Sequence, residues 1–151
     1  VTKKIGGEYT DSVTRIISHK DFFKGKGITD LRYIKPDREL TRFFIPFDDL
    51  AKVKENIRSG DILSLIFAKL DNIFSANMLM AFWKEGELYF RESSISKMTT
   101  FETKFEDWLE KYIGSKRYAG LAFMRVNDSI NKPGKIILPW DIEKIKLSTS
   151  D

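Results

Sequence analysis

The chain has 151 residues, of which 42% are hydrophobic and 13% aromatic, and this composition excludes an intrinsically disordered protein. Its 26 basic residues outnumber 22 acidic ones, but the two signs are interspersed, so the net charge of +4 favours anionic partners only mildly. The absence of cysteine excludes disulfides, thiolate zinc sites and thiol catalysis by these residues. No apolar run reaches the roughly 18 residues of a membrane span, and the start at Val1 without a signal-like stretch indicates a processed or trimmed start.

The length fits one compact domain over 1–151, because a chain of this size buries roughly 68–70% of the surface that its unfolded form exposes. Glycines and Pro36 interrupt any long period early in the chain, so residues 1–41 are predicted to form loops and short elements that wrap over a core. Residues 42–146 form the predicted helix-plus-sheet core, and residues 147–151 a frayed tail.

The middle of the chain begins with a helical pattern and continues with two apolar runs. Leu50, Val53 and Ile57 recur at helical spacing, which predicts a helix over 48–58 that ends before a glycine. The nearly continuous apolar runs at 62–68 and 78–83 predict strands that are buried on both faces.

A tight turn and a second helix follow. Glu85-Gly86 predicts a hairpin between the second apolar run and residues 88–90, because glycine accepts the positive φ that such turns require. Thr103 and Glu106 have capping-box spacing, and the apolar pattern after them predicts a helix over 104–113 that buries Trp108.

The last third of the chain completes the predicted sheet. Residues 118–126 and 136–138 have strand patterns, and the segments 127–128 and 132–134 supply turn residues. The result is five or six strands in an α+β fold with a mostly antiparallel sheet.

Three residue patterns invite a functional interpretation that their chemistry does not support. Ser18, His19 and Asp21 are too close in sequence to meet in triad geometry, so a structural or surface histidine is favoured. Basic and aromatic residues interleave at 20–24 and 42–44, but no nucleic-acid motif accompanies them, and this argues against nucleic acid as a partner. The third is an acidic helix face without the loop spacing of a calcium site, which we interpret as solvated; it comprises Glu102, Glu106, Asp107 and Glu110.

The order of the local motifs carries a family resemblance. A helix, Gly60-Asp61-Ile62, a buried strand, Ser75-Ala76-Asn77, a second buried strand, a hairpin and Ser93-Ser94 follow one another. This order resembles the papain-like, NlpC-type peptidoglycan hydrolases, and more narrowly the N-acetylmuramoyl-L-alanine amidase-like branch long known as a domain of unknown function. Further phrases with the same likeness span most of the chain, at 2–8, 18–21, 45–46, 57–63 and 118–125.

The resemblance implies a papain-like fold whose catalytic residues are missing here. It puts the family's cysteine upstream of Val1, its catalytic base at Asn77, and its other histidine near Arg91, ahead of Ser93 and Ser94. Asparagine does not titrate usefully, and arginine keeps its proton up to a pKa above about 12, so neither can accept a proton from a thiol near neutral pH. The N-terminal part of the papain-like fold is therefore expected to be incomplete or divergent.

The predicted site is a vacated groove between an Asn77 loop and the strand of Arg91, with Ser93 and Ser94 near its rim. Arg91 serves either as an anchor for a ligand carboxylate or as a surface residue paired with Glu87 or Glu92. Asn77 serves either as a groove residue or as a turn residue.

The expected function is that of a non-catalytic relative of the peptidoglycan amidases, which binds a muropeptide or a protein partner in the groove. Two alternatives stay open: the C-terminal part of an active cell-wall amidase whose cysteine lies upstream, and a structural or assembly subunit of a cell-envelope complex. No cofactor, metal ion or membrane span is expected. By resemblance, the location is the cell envelope or periplasm.

Overall fold

The structure, a computed structural model, describes residues 1–126 and Gly134, and a seven-stranded sheet runs through this part of the chain. The strand order is β1-β2-β7-β3-β4-β5-β6, and each neighbouring pair is antiparallel. The strands are β1 Asp11–Ile17, β2 Arg38–Pro46, β3 Ile62–Phe67, β4 Ser75–Lys84, β5 Glu87–Ser94, β6 Thr99–Lys104 and β7 Tyr118–Met124.

Within residues 1–126, four short α-helices and two 3₁₀ segments accompany the sheet. The helices are α1 Thr2–Gly6, α2 His19–Gly25, α3 Phe47–Leu50 and α4 Phe105–Glu110, and the 3₁₀ segments are Gly7–Tyr9 and Ala51–Asn56. The fold is therefore α+β with a mostly antiparallel sheet, as the sequence predicts. Among the described residues, no helix is both long and apolar enough to span a bilayer.

One face of the sheet packs against α1, α3 and α4 and carries the core. Side chains alternate between the two faces of a strand, and residues directly opposite on neighbouring strands share a face. The core face is formed by buried apolar side chains from five strands, with Trp108 and Phe105 of α4 packed on them; the strand residues are Ile45, Leu63, Leu65, Leu79, Ala81, Leu88, Phe90, Leu121 and Phe123.

The opposite face, called the open face below, is less covered. Register places Ile62 beside Met80 and Met124, and Met80 beside Arg91. Met80 and Met124 are 45% and 42% exposed. The prediction that the 78–83 strand is buried on both faces is therefore wrong, because α1, α3 and α4 pack on the opposite, core face.

The hairpin between β4 and β5 is confirmed. Glu85 has φ 53° and Gly86 φ 80°, and two successive positive values match the type I′ turn that suits the twist of antiparallel strands. The strand predicted at 62–68 is present as β3.

Both predicted helices are shorter than expected. The 48–58 segment divides into α3 and a 3₁₀ turn. The capping box is wrong: Thr103 is the β6 partner of Phe90, and the residue that caps α4 is Lys104, with no side-chain cap bond. Strand pairing with β5 extends through Thr103 to Lys104. The helix can therefore begin only after Lys104, and Thr103 cannot cap it.

The N-terminal segment is more regular than its glycines indicate. Residues 1–41 contain α1, β1, α2 and the first part of β2, which pairs with β1 over seven positions. The β-branched residues of β1, threonine among them, favour an extended conformation, and the hydrogen-bonded pairing with β2 stabilises the strand. Of the remaining predictions, the strand at 136–138, the turns at 127–128 and 132–133 and the tail at 147–151 lie outside the described residues, whereas Gly134 lies in an exposed turn.

Candidate functional site

A cavity lies where α1 meets the sheet. Buried Thr2 uses its hydroxyl twice on β7, accepting from Phe123 N at 2.9 Å and donating to Phe123 O at 3.2 Å. β2 pairs with β7 only at Ile45–Leu121 and Pro46–Gly120. Thr2 therefore takes the place of a strand partner beyond Leu121, and the gap between β2 and β7 opens into a cavity of about 540 Å³.

This N-terminal cavity is lined from five elements, α1 and the strands β2, β3, β4 and β7. α1 contributes Lys3, and β2 contributes Thr41, Arg42 and Phe43. The open face adds Ser64 and Ile66 from β3 and Ala122 and Met124 from β7, and Phe74 and Ser75 close the side where β4 begins. The cavity thus combines apolar walls with hydroxyls and two cations.

The two cations rest against aromatic rings of the wall. Lys3 Nζ lies 3.9 Å from the centroid of Phe43, and the guanidinium carbon of Arg42 lies 5.7 Å from that of Phe74. Arg15 stands 5.1 Å from the same Phe74 ring and donates to two backbone carbonyls, those of Phe67 and Ile73. Cation–π contacts of this kind hold a cation in place while leaving its charge for a ligand.

A second, shallower cavity of about 280 Å³ lies further along the open face. Arg91 and Ser93 line it together with Met78 and Met80. Arg91 donates from Nε and Nη2 to one oxygen of Glu102, at 3.0 and 2.5 Å, and its guanidinium carbon lies 4.9 Å from the Phe82 centroid. The predicted partners Glu87 and Glu92 are wrong, because Glu102 is directly opposite Arg91 on β6. Arg91 is therefore already paired.

The four residues of the predicted groove do not come together. Asn77 belongs to β4 rather than to a loop, and its Oδ1 accepts from Met78 N at 2.9 Å. Arg91 and Ser93 line the same cavity, whereas Asn77 and Ser94 are not among its lining residues. The structure thus joins Arg91 with Ser93 and separates them from Asn77 and Ser94.

The Ser18-His19-Asp21 segment is a helix start. Ser18 Oγ accepts from Asp21 N at 3.2 Å and caps α2, while the His19 ring packs edge-on against Phe23 at 6.4 Å. Serine is a preferred N-cap because it satisfies a free backbone N–H. This arrangement agrees with the structural interpretation of His19.

Glu102 and Glu106, two of the four acidic residues near α4, pair with cations, and no group that could hold a metal ion is found in the described part of the chain. Lys54 donates to Glu106 at 2.6 Å. Partial burial raises the pKa of the Glu106 carboxyl, whereas the hydrogen bond from Lys54 lowers it, and the net pKa lies below the ordinary value. Glu102 holds Arg91, as described above.

Sequence reasoning missed the N-terminal cavity. Lys3 and Arg42 are 39 positions apart and meet only because α1 packs beside β2, so no local spacing could have joined them. The interleaved Arg42-Phe43-Phe44 segment was the available signal: Phe44 is in the core, whereas Phe43 is 37% exposed at the cavity.

The comparisons with known proteins rest on structure. No family model matches this sequence, and no curated protein shows significant sequence similarity to it. The fold is similar to that of protein LPG0564 from Legionella pneumophila, a DUF1460 protein, with a TM-score of 0.60 and 17% identity over 76% of this chain and 50% of that one.

It is also similar to an N-acetylmuramoyl-L-alanine amidase from Bacteroides uniformis, in two crystal structures with TM-scores of 0.57 and 0.58. Identity is 15%, over 80% of this chain and 55% of the amidase. This chain therefore has an amidase-like fold and spans about half the length of each neighbour.

Proposed function

We propose that this chain is a papain-like, NlpC-type domain of the cell envelope that binds a peptidoglycan fragment, a muropeptide, without hydrolysing it. The observation that carries the proposal is the amidase-like fold in a sequence of 151 residues that contains no cysteine. Thiol-dependent amide hydrolysis needs a thiolate with a base in hydrogen-bond reach, and these residues supply no thiolate. Binding does not require one.

The open face supports a binding role because it offers concave, chemically mixed surfaces. The N-terminal cavity and the Arg91 cavity lie on the same side of the sheet, and Ile62, which lines the latter, is opposite Met124, which lines the former. A linear ligand of sugar and peptide has both polar and apolar groups to place along such a face. Methionines such as Met78, Met80 and Met124 adapt to irregular ligand surfaces.

A second candidate follows from the coverage of the comparisons. The alignment spans 55% of the Bacteroides amidase, so in this alternative the chain is part of an active amidase whose cysteine lies outside the present sequence. Asn77, the position that the resemblance gives to the catalytic base, argues against this alternative because its side chain cannot take the proton of a thiol.

The experiment uses the purified chain and a synthetic N-acetylmuramoyl peptide that begins with L-alanine. Mass spectrometry should find no release of the peptide from the muramoyl group beyond that in buffer, while amide chemical-shift changes should map to the open face. Release of the peptide would contradict the non-catalytic role. Intact ligand without shifts at millimolar concentration would contradict the binding role and favour an assembly subunit.

A further inference from the structure

The charges around the N-terminal cavity are unbalanced. Lys3 and Arg42 line it, and no aspartate or glutamate stands among the described residues that do so. Neither cation forms a salt bridge with another described residue. Arg91, by contrast, is neutralised by Glu102. The positive charge at the N-terminal cavity is therefore available to a ligand.

The hydroxyl groups that line the cavity add hydrogen-bond donors that an anionic ligand can use. Thr41 Oγ1 shares a hydrogen bond of 2.8 Å with Thr14, whereas Ser64 and Ser75, both half-buried, make no side-chain hydrogen bond with another described residue. A serine hydroxyl can donate one hydrogen bond and accept two. Two hydroxyls and two cations therefore line a space in which no side-chain acceptor from residues 1–126 pairs with them.

The size and walls of the cavity limit what it can hold. A volume of about 540 Å³ is within the usual range of small-ligand sites, which is roughly 300–1,000 Å³. Ile66, Ala122 and Met124 form an apolar floor, and Phe43 and Phe74 stand beside the cations. A ligand that fits both parts carries an anionic group next to an apolar side chain.

We propose that the N-terminal cavity binds the terminal carboxylate of a short peptide, with Arg42 and Lys3 on the carboxylate and the adjacent apolar side chain on the Ile66 floor. Arginine matches a carboxylate with two parallel N–H donors, and lysine adds a point charge. Naming this peptide as the stem peptide of a muropeptide rests on the proposed function; the preference for a carboxylate does not.

The test compares two synthetic muramoyl peptides that differ only in their last group, a free carboxylate or a carboxamide. Calorimetry with the parent chain should give about tenfold tighter binding of the carboxylate form, as expected for one charge-assisted hydrogen-bonding interaction. The preference should decline in 1 M salt, where the Debye length falls to about 3 Å. Equal affinities for the two peptides would overturn the inference.

Matched variants locate the interaction. Arg42→Gln and Lys3→Gln should each weaken the carboxylate form about tenfold and leave the carboxamide form unchanged. Arg38→Gln, on the same strand, and Lys4→Gln, next to Lys3 in α1, are controls that line no part of the cavity. Each variant is first compared with the parent by thermal unfolding. A preference that survives both cavity variants would place the site elsewhere.

Failure of the inference and failure of the proposed function give different results. If the muropeptide binds equally well with a carboxylate or a carboxamide, and equally well to the parent and to both cavity variants, the inference is overturned and the proposed function stands. In a second outcome, the same carboxylate peptide without its sugar binds as tightly as the muropeptide, and Arg42→Gln abolishes this binding. That outcome would support the inference and contradict the muropeptide assignment. Binding of neither peptide would overturn both.

Discussion

Arg125 binds Asp61 through both arms of its guanidinium and ties the end of β7 to the turn before β3. Nε lies 2.6 Å from Oδ1 and Nη2 lies 2.7 Å from Oδ2. Asp61 is completely buried, and its Oδ2 also accepts from Arg58 N at 2.8 Å. Arg125 in addition donates to the carbonyl of Asn56 at 3.2 Å. One arginine therefore satisfies a buried carboxylate and a backbone acceptor of the same turn.

Removing the arginine should be costly because it leaves the buried Asp61 carboxylate without its counter-charge. We expect Arg125→Met to lower the free energy of unfolding by about 3–5 kcal/mol. In a double-mutant cycle in urea, Asp61→Asn combined with Arg125→Met should cost clearly less than the sum of the two single changes. Arg91→Met, which breaks an exposed pair, is the control and should cost at most about 1 kcal/mol. Additive costs at Asp61 and Arg125 would contradict the coupling.

Trp108 should be the most sensitive position of α4. Its side chain is 1% exposed and packs on Phe90 and Tyr112 at centroid distances of 5.0 and 4.3 Å. Trp108→Ala should therefore cost about 3–5 kcal/mol through cavity formation. Thr103→Ala should stay within about 0.5 kcal/mol, because Thr103 is not a helix cap.

A third variant separates packing from hydrogen bonding at the same site. The Trp108 indole nitrogen finds no hydrogen-bond partner among the described residues. Trp108→Phe removes this unsatisfied donor and keeps an aromatic ring, so it should cost much less than Trp108→Ala in denaturant titrations. Equal midpoints for the phenylalanine and alanine variants would show that ring packing is not the main contribution.

Gly120 should not accept a side chain. A Cβ there would lie 2.7 Å from the carbonyl carbon of Ile45 and closer still to its oxygen. Gly120→Ala must therefore push β2 away from β7. It should lower the free energy of unfolding by about 1–3 kcal/mol or more, which is the usual cost of overpacking. Gly25→Ala is the control, because nothing lies within 4 Å of its Cβ. Similar melting temperatures for these two variants would contradict the close approach at Gly120.

Alkaline pH should unfold the protein partly through Tyr112. Burial raises the pKa of this phenol above the ordinary value of 10.0, with smaller contributions from Glu92 and Tyr118. Above that value the unfolded chain loses the proton before the native state does, so the stability present below pH about 10 declines as the pH rises. Tyr112→Phe should remove part of this decline in alkaline titrations followed by circular dichroism. Tyr33→Phe, at an 88% exposed ring, should leave it unchanged.

The features that could be predicted from sequence are those that local chemistry fixes. The Glu85-Gly86 turn, the β3 strand and the burial of Trp108 follow from a turn dipeptide, an apolar run and a helical pattern. The capping box at Thr103 failed because strand pairing with Phe90 competes for the same residue, and a local motif contains no information about that partner.

The candidate site was harder to predict because it depends on register and long-range packing. Arg91 lines a cavity that Asn77 does not, and the register shift in the β3–β4 pairing beside Asn77 cannot be read from the sequence. Lys3 reaches the cavity through the packing of α1 on the sheet, where Thr2 is hydrogen-bonded to Phe123. The sequence alone therefore does not show which of these residues become neighbours in the folded protein.

The narrow junction of β2 with β7 also sets how the protein opens locally. Among the described residues, strand pairing joins β1 and β2 to the rest of the sheet only at Ile45 and Pro46, and Arg15 of β1 adds hydrogen bonds to the carbonyls of Phe67 and Ile73. The amides of β1 and β2 should consequently exchange with solvent through partial openings of lower free energy than global unfolding. A ligand bound between Arg42 and the β3–β7 floor would stabilise the junction of β2 with β7. Occupancy of the cavity should therefore slow amide exchange along β1, which lies beyond β2 and does not line the cavity.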